Sequence, residues 1–129
     1  MTDYTKRTSI GDLYNLCDQL GLSNVFVGRA NEVAKALANR HIQIIIFNLD
    51  DYGPGSHWVA ISKPDKMYFD SYAQPAPTVV PSSYKVASQT KEIQSISSTD
   101  CGALCALWLY YVKNKSNAEY YQRFRDVYS

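Results

Sequence analysis

The stretch HWVAISKPDKMYFDSY, residues 57–72, decides the fold that this sequence predicts. Its two halves, 57–62 and 67–72, are rich in the β-branched and aromatic residues that strands favour. Between them lies KPDK, residues 63–66, whose Pro and Asp are typical of a tight turn. The stretch therefore predicts an antiparallel hairpin.

This hairpin also brings a base and an acid together. In one register with a two-residue loop, His57 lies directly opposite Asp70. The other such register pairs Lys63 with Lys66; the direct partner of His57 is then Tyr72, and Asp70 lies diagonal to His57. Both registers put His57 and Asp70 on the same face within side-chain reach, whereas a three-residue loop would separate them.

Upstream of the hairpin, three segments predict regular structure. Residues 10–21 carry apolar side chains at helical spacing and end at Gly21, which predicts an amphipathic helix. Residues 31–39 predict a second helix, with Asn31 as its N-terminal cap. The run IQIIIFNL, residues 42–49, predicts a strand that is buried on both faces.

Downstream, the pattern changes from loop to helix. Residues 73–90 are rich in Pro and Ser and predict a surface loop or a short irregular helix. Residues 91–96 predict a short strand. Residues 101–112 are apolar almost all round, which predicts a buried central helix. Residues 117–127 predict a last helix with a polar face.

Composition limits the classes of protein. With 129 residues and 46% hydrophobic residues, the chain is expected to form one folded domain, 1–129. The net charge of +1 gives no electrostatic reason to expect nucleic acid or an anionic membrane as the main partner.

The cysteines and the N-terminus indicate the compartment. Three cysteines, an odd number, do not suggest a secreted disulfide framework. Residues 1–9 lack the apolar core of a signal peptide, and the apolar run 103–112 is about half of what a membrane span needs. We therefore expect a soluble intracellular protein with Cys17 and Cys105 in its core.

The run QSISSTDCGALC, residues 94–105, completes a set of chemically active side chains. A cysteine hydrolase needs a base, a residue that orients it, an oxyanion donor and a nucleophile. His57, Asp70, Gln94 and Cys101 supply these four types in chain order. At a helix start, Cys101 would favour the thiolate over the thiol.

Two neighbours of these residues are expected to support the reaction. Gly102 removes a Cβ where a substrate carbonyl must approach closely. Trp58 would shield the imidazole of His57 or pack beneath it.

Each of these residues also has a simpler interpretation. A Cys in an apolar helix is most often a core residue. A lone strand His, or an Asp at a strand end, is most often structural. A zinc site formed by His57, Asp70, Cys101 and Cys105 is a further interpretation, but the usual Cys-x₂-Cys pair is absent. We expect no metal and no other cofactor.

The order His, acid, Gln, Cys, with His-Trp and Asp-Cys-Gly, resembles the adenovirus-type protease family (adenain). That family is related more distantly to the proteases of ubiquitin-like proteins. The resemblance covers roughly residues 12–112. The segments that carry it are LGLSNVFVGRANE (20–32), IIIFNLDDYGPGSHWVAI (44–61), MYFDSYAQPAP (67–77) and IQSISSTDCGALCALWLYYV (93–112).

The resemblance implies an α+β fold of the permuted papain-like kind, with a central mixed or antiparallel sheet and a buried helix that bears the nucleophile. It implies His57 as base, Asp70 as third triad member, Gln94 as oxyanion donor and Cys101 as nucleophile. Adenovirus enzymes have a Glu where Asp70 stands, and a peptide and DNA activate them. This chain is shorter at its C-terminal end and has little positive charge, so we expect neither activator.

Three functions remain open. The first is a viral endopeptidase that cleaves viral structural precursor proteins, in the host cell or the virion. The second is a processing enzyme for ubiquitin-like modifiers. The third is an inactive binding module of the same fold. In the first two cases the partner is a polypeptide substrate.

Overall fold

The computed structural model describes residues 9–49, 57–70, 75–87 and 101–113. In this part of the chain the fold is α+β, with three α-helices and a five-stranded mixed sheet. The elements in chain order are α1 (Ile10–Gln19), β1 (Val25–Arg29), a 3₁₀ turn (Ala30–Glu32), α2 (Val33–Ala38), β2 (Ile44–Asn48), β3 (Trp58–Ser62), β4 (Met67–Phe69), β5 (Lys85–Val86) and α3 (Cys101–Lys113).

The strands lie in the order β1-β2-β3-β4-β5. The two outer pairs, β1 with β2 and β4 with β5, are parallel, and the two inner pairs are antiparallel. The strand predicted at 42–49 is confirmed as β2. Its residues Ile45, Ile46 and Phe47 are fully buried, as expected for a strand that is covered on both faces.

The predicted hairpin is formed by β3 and β4, and its register is the second of the two predicted. Ser62 pairs with Met67 across the turn 63–66, which is the alignment that pairs Lys63 with Lys66. Continuing this alignment puts Asp70 diagonal to His57 rather than directly opposite. The direct partner of His57, position 72, lies outside the described residues.

Two hydrophobic clusters pack on the sheet. One joins α1 and α3 to the sheet and includes Trp58, Ala60 and Phe69. The other involves α2 and includes the residues that alternate with these along the strands. Helix α3 is buried almost all round, as predicted. Its residues at or below 7% exposure are Ala103, Leu104, Cys105, Ala106, Trp108, Leu109 and Val112.

The N-terminal helix matches its prediction. Ser9 caps α1 through its side chain and Asp12 completes the capping box. After the helix, Gly21 has a φ of 73°, a left-handed conformation that glycine adopts without strain. Leu13 and Cys17 are buried, whereas Ile10 is 37% exposed.

The prediction that Asn31 caps the second helix is wrong. Asn31 lies inside the 3₁₀ turn, and α2 begins only at Val33. The Glu32 carboxylate instead accepts a hydrogen bond from the Arg29 backbone N–H at 3.0 Å. This bond caps the 3₁₀ turn at Arg29, and the regular α-helix begins only after that turn, at Val33.

Two strands were not predicted, β1 and β5. Strand β5 has two residues and lies within the segment 73–90 that was expected to be a loop or an irregular helix. The predicted strand at 91–96, the cap residues 98–100 and the helix at 117–127 lie outside the described residues. None of the described helices is long and apolar enough to cross a membrane.

Candidate active site

A His–Asp pair, largely buried, lies at one end of the inner strands, where β3 begins and β4 ends. The Nε2 atom of His57 is 2.7 Å from Oδ1 of Asp70. The side chains are 13% and 1% exposed, respectively. His57 precedes β3 and Asp70 follows β4, so the antiparallel pairing of these strands brings the two residues to the same edge. The predicted contact between base and acid is therefore present.

The atoms in this contact determine which ring nitrogen can act as a base. A carboxylate next to Nε2 favours the tautomer that carries its proton there, because Nε2–H can then donate to Asp70. The lone pair of the neutral ring is then on Nδ1. A substrate or a thiol that exchanges a proton with His57 would therefore do so at Nδ1.

The direction of α3 is fixed at its C-terminal end. The Lys113 ammonium donates to the carbonyl oxygen of Gly21 at 2.7 Å. Gly21 lies shortly before β1, near the end of the sheet where the parallel strands β1 and β2 both begin. At that end the Gln43 backbone N–H donates to the Asn24 carbonyl. The last turn of α3 therefore lies at the end of the sheet where β1 and β2 begin. The helix runs from there back toward the opposite strand ends, where His57 and Asp70 lie.

A ring contact supports the same placement. Trp108 of α3 stacks on Phe69 of β4, with ring centroids 5.1 Å apart. Phe69 pairs with Ala60, three residues beyond His57, which is about 10 Å along a strand. Cys101 is seven residues before Trp108, which is about 10.5 Å along a helix. Cys101 and His57 are therefore at similar distances, each along its own element, from this ring contact.

Tyr68 lies in β4, two residues before Asp70. Its side chain is fully buried. The pKa of Tyr68 is raised by burial first, and then by the negative charge of Asp70.

The predicted nucleophile is the first residue of α3. A helix N-terminus stabilises a thiolate through the unpaired N–H groups of its first turn. Gly102, next to it, is buried. Gln94 lies outside the described residues, so its predicted role as oxyanion donor stays a prediction.

Trp58 belongs to the core. It is 5% exposed, lies in the cluster between the sheet and α3, and pairs with Asn48 of β2. Asn48 is a polar residue at 1% exposure, to which the sequence analysis gave no role. Aligning the strands 42–49 and 57–62 as an antiparallel pair would have indicated this position, because it puts Asn48 beside Trp58 and next to His57.

The other cysteines are core residues, as predicted. Cys17 and Cys105 are 1% and 0% exposed. Burial raises the pKa of the Cys17 thiol to about 11, which makes it a poor nucleophile at neutral pH. Among the residues that the structure describes, no three His, Cys, Asp or Glu side chains are close enough together to hold a metal ion.

Comparison with known proteins identifies no relative. The chain matches no protein-family model, and neither the curated proteins nor the solved structures contain a significant match.

Proposed function

We propose that this chain is a cysteine endopeptidase in which Cys101 is the nucleophile, His57 is the base and Asp70 orients the base. The observation that carries the proposal is the 2.7 Å contact between His57 Nε2 and Asp70 Oδ1. It lies at the end of the sheet from which α3 runs, and α3 begins with Cys101. An oriented base next to a cysteine at a helix start is the arrangement that activates a thiol nucleophile.

In the proposed reaction, Nδ1 of His57 takes the thiol proton of Cys101, and the Asp70 carboxylate stabilises the imidazolium. The thiolate attacks the carbonyl carbon of the peptide bond and forms a tetrahedral oxyanion. Gln94 and the backbone N–H of Cys101 donate to this oxyanion, and each such donor typically contributes about 100- to 1000-fold in rate. His57 then protonates the leaving amine, and water hydrolyses the thioester.

The sequence resemblance to adenovirus-type proteases supports the substrate and the finer fold. We propose a permuted papain-like fold, with viral structural precursor polypeptides as substrates. A mixed sheet packed on a buried helix is compatible with that fold. In this scheme Gly102 leaves room for the substrate carbonyl, and Trp58 packs beneath the base.

The test is alkylation by iodoacetamide at pH 6, read residue by residue by mass spectrometry. An ordinary thiol is only about 0.3% ionised at this pH. We expect Cys101 to react at least about tenfold faster than Cys17, because a thiolate–imidazolium pair persists at pH 6 where a lone thiol is protonated. His57→Ala is expected to slow alkylation of Cys101 by at least about tenfold, toward the rate of an unactivated thiol, and Cys101→Ala to abolish turnover of polypeptide substrates.

Matched controls are available within the chain. His41, the other of the two histidines, is exposed, so His41→Ala tests whether the effect is specific to His57. Cys17 reports folding, because its alkylation would increase if a variant unfolded. If Cys101 reacts no faster than Cys17 in the folded wild type, the proposal is wrong.

A panel of ubiquitin-family vinyl sulfones then separates the substrate classes. Covalent reaction of Cys101 with one member would replace viral precursors by a modifier protein as the substrate. No reaction across the panel, with Cys101 still selectively alkylated, supports the precursor endopeptidase.

A further inference from the structure

Leu49 is an apolar side chain exposed next to the proposed base. It is 36% exposed, and it follows the end of β2. Among the described residues, the other large hydrophobic side chains with comparable exposure are Ile10 and Tyr14 on α1 and Val86 on β5. Of these four side chains, Leu49 is the one that lies at the same strand ends as His57 and Asp70.

The pairing of β2 with β3 puts Leu49 directly opposite His57. Asn48 pairs with Trp58, and the next pair in this register is Leu49 with His57. The Leu49 backbone N–H donates to the His57 carbonyl at 3.0 Å, which continues the ladder by that one pair. Residues directly opposite in an antiparallel pair point to the same face, with Cβ atoms about 4.5–5.5 Å apart.

His57 therefore has a different neighbour on each adjacent strand. Asp70 lies on the β4 side and contacts Nε2. Leu49 lies on the β2 side and offers an apolar surface. The exposed part of Leu49 gains no stability from burial, whereas apolar contact with a bound ligand would remove this surface from water.

We propose that Leu49 is a specificity-determining residue that contacts the substrate on the leaving-group side of the scissile bond. This inference rests on the proposed function. In a thiol peptidase the base gives its proton to the leaving amine, so the base faces the residue that follows the cut. A side chain beside the base contacts that same residue. The structure thus points to polypeptides with an apolar side chain directly after the cleaved bond.

The test compares two alkylating probes, iodoacetamide and 2-iodo-N-phenylacetamide, on Cys101. The ratio of their rates reports apolar contact near the thiol and cancels any change in thiolate fraction. Leu49→Asn, which is neutral and of similar shape, is expected to lower the phenyl-to-parent ratio about five- to tenfold. Leu49→Met is expected to keep the ratio within about twofold, because it keeps the apolar surface.

Val86→Asn is the matched control, since it also removes an exposed apolar side chain but on β5. It is expected to leave the ratio unchanged. A peptide-library digest gives a second readout: the wild type should favour apolar residues directly after the cut, and Leu49→Asn should lose this preference.

The outcomes separate the inference from the proposed function. If Cys101 is selectively alkylated in a His57-dependent way but Leu49→Asn leaves the ratio unchanged, only the role of Leu49 is wrong. Cleavage with no preference for the residue after the cut overturns the leaving-group side. If alkylation of Cys101 does not depend on His57, both proposals fail.

Discussion

At the scale of single residues, His57 and Asp70 are thirteen positions apart and meet because β3 and β4 form a hairpin. The contact is shielded from water, with Asp70 at 3% exposure. In such surroundings a charge-assisted hydrogen bond is stronger than at the surface. The pair can therefore hold the imidazole in one orientation and stabilise its protonated form.

Asp70→Asn tests this role. The amide keeps the shape of the side chain and removes its charge, so the imidazolium loses a partner that is typically worth about 1.5–3 kcal/mol. We expect alkylation of Cys101 at pH 6 to slow by about 10- to 100-fold, measured by mass spectrometry. Asp65→Asn is the control, because Asp65 accepts a hydrogen bond from Ser62 in the turn, away from His57. Equal rates in the two variants would contradict an orienting role for Asp70.

At the scale of elements, β1 shows how the edge of the sheet is protected. Two backbone N–H groups along β1 donate to side chains: that of Val27 to the Tyr14 hydroxyl at 3.0 Å, and that of Arg29 to the Glu32 carboxylate at 3.0 Å. An edge strand with occupied N–H groups is a poor template for pairing with another chain. The Tyr14 contact also fastens α1 to the sheet.

Gly28 of β1 has little room for a side chain. A Cβ at this position would lie 2.7 Å from Glu32 Oε1 and from carbon atoms of the Phe26 ring. We expect Gly28→Ala to lower the free energy of unfolding by about 1–3 kcal/mol, as overpacking does, measured by urea titration. Part of this loss would come from displacing the carboxylate that holds Arg29.

Gly11→Ala is the matched control for this prediction. A Cβ on Gly11 would have only an ordinary contact, with Ser9 Oγ at 3.8 Å, and Gly11 lies in a helix, where alanine is favoured. This variant should be as stable as the wild type or more stable. A Gly28→Ala protein as stable as the Gly11→Ala protein would mean that β1 adapts to the added methyl group.

At the scale of the whole molecule, the sheet separates two hydrophobic clusters, and Cys17 lies in the one that joins α1 and α3 to the sheet. Its neutral thiol is part of this packing. Because burial raises its pKa from 9.0 to about 11, the folded state holds the thiol proton more tightly than the unfolded state does. Stability is therefore coupled to pH in the alkaline range.

The sign of this coupling follows from the direction of the shift. A group whose pKa is raised in the folded state contributes stability that is complete below its unfolded pKa and is lost as pH rises through its folded pKa. We expect the free energy of unfolding to fall between about pH 9 and pH 11, with Cys17 contributing a loss on the order of 2–3 kcal/mol, because each pKa unit corresponds to about 1.4 kcal/mol. Burial of Tyr68 acts in the same direction at higher pH.

Urea titrations at pH 7, 8, 9 and 10 on the wild type and on Cys17→Ala check this prediction. The variant loses packing at every pH, but its stability should decline less steeply above pH 9. Parallel curves for the two proteins would show that Cys17 does not contribute to the alkaline loss.

The sequence by itself determined the elements whose signals are local. Helical spacing from Ile10 to Gly21, the Lys-Pro-Asp-Lys turn and the all-apolar run after Cys101 each specify a conformation through neighbouring residues. Both hairpin registers that the turn allows bring His57 and Asp70 within reach, so their contact follows from the turn and from strand alternation, whereas the choice between the two registers does not.

Only the tertiary structure decided the features that depend on distant residues. The parallel pairing of β1 with β2 and of β4 with β5 joins segments whose local patterns are weak, because a parallel partner lies across a long connection. The neighbours of His57 on β2 depend on the β2–β3 pairing across residues 49–57. The direction of α3, whose first residue is Cys101, rests on packing and on a contact between Lys113 and Gly21, 92 residues apart in the chain. Such contacts leave no periodic signal in the sequence, since they are set by how the elements fill space around a shared core.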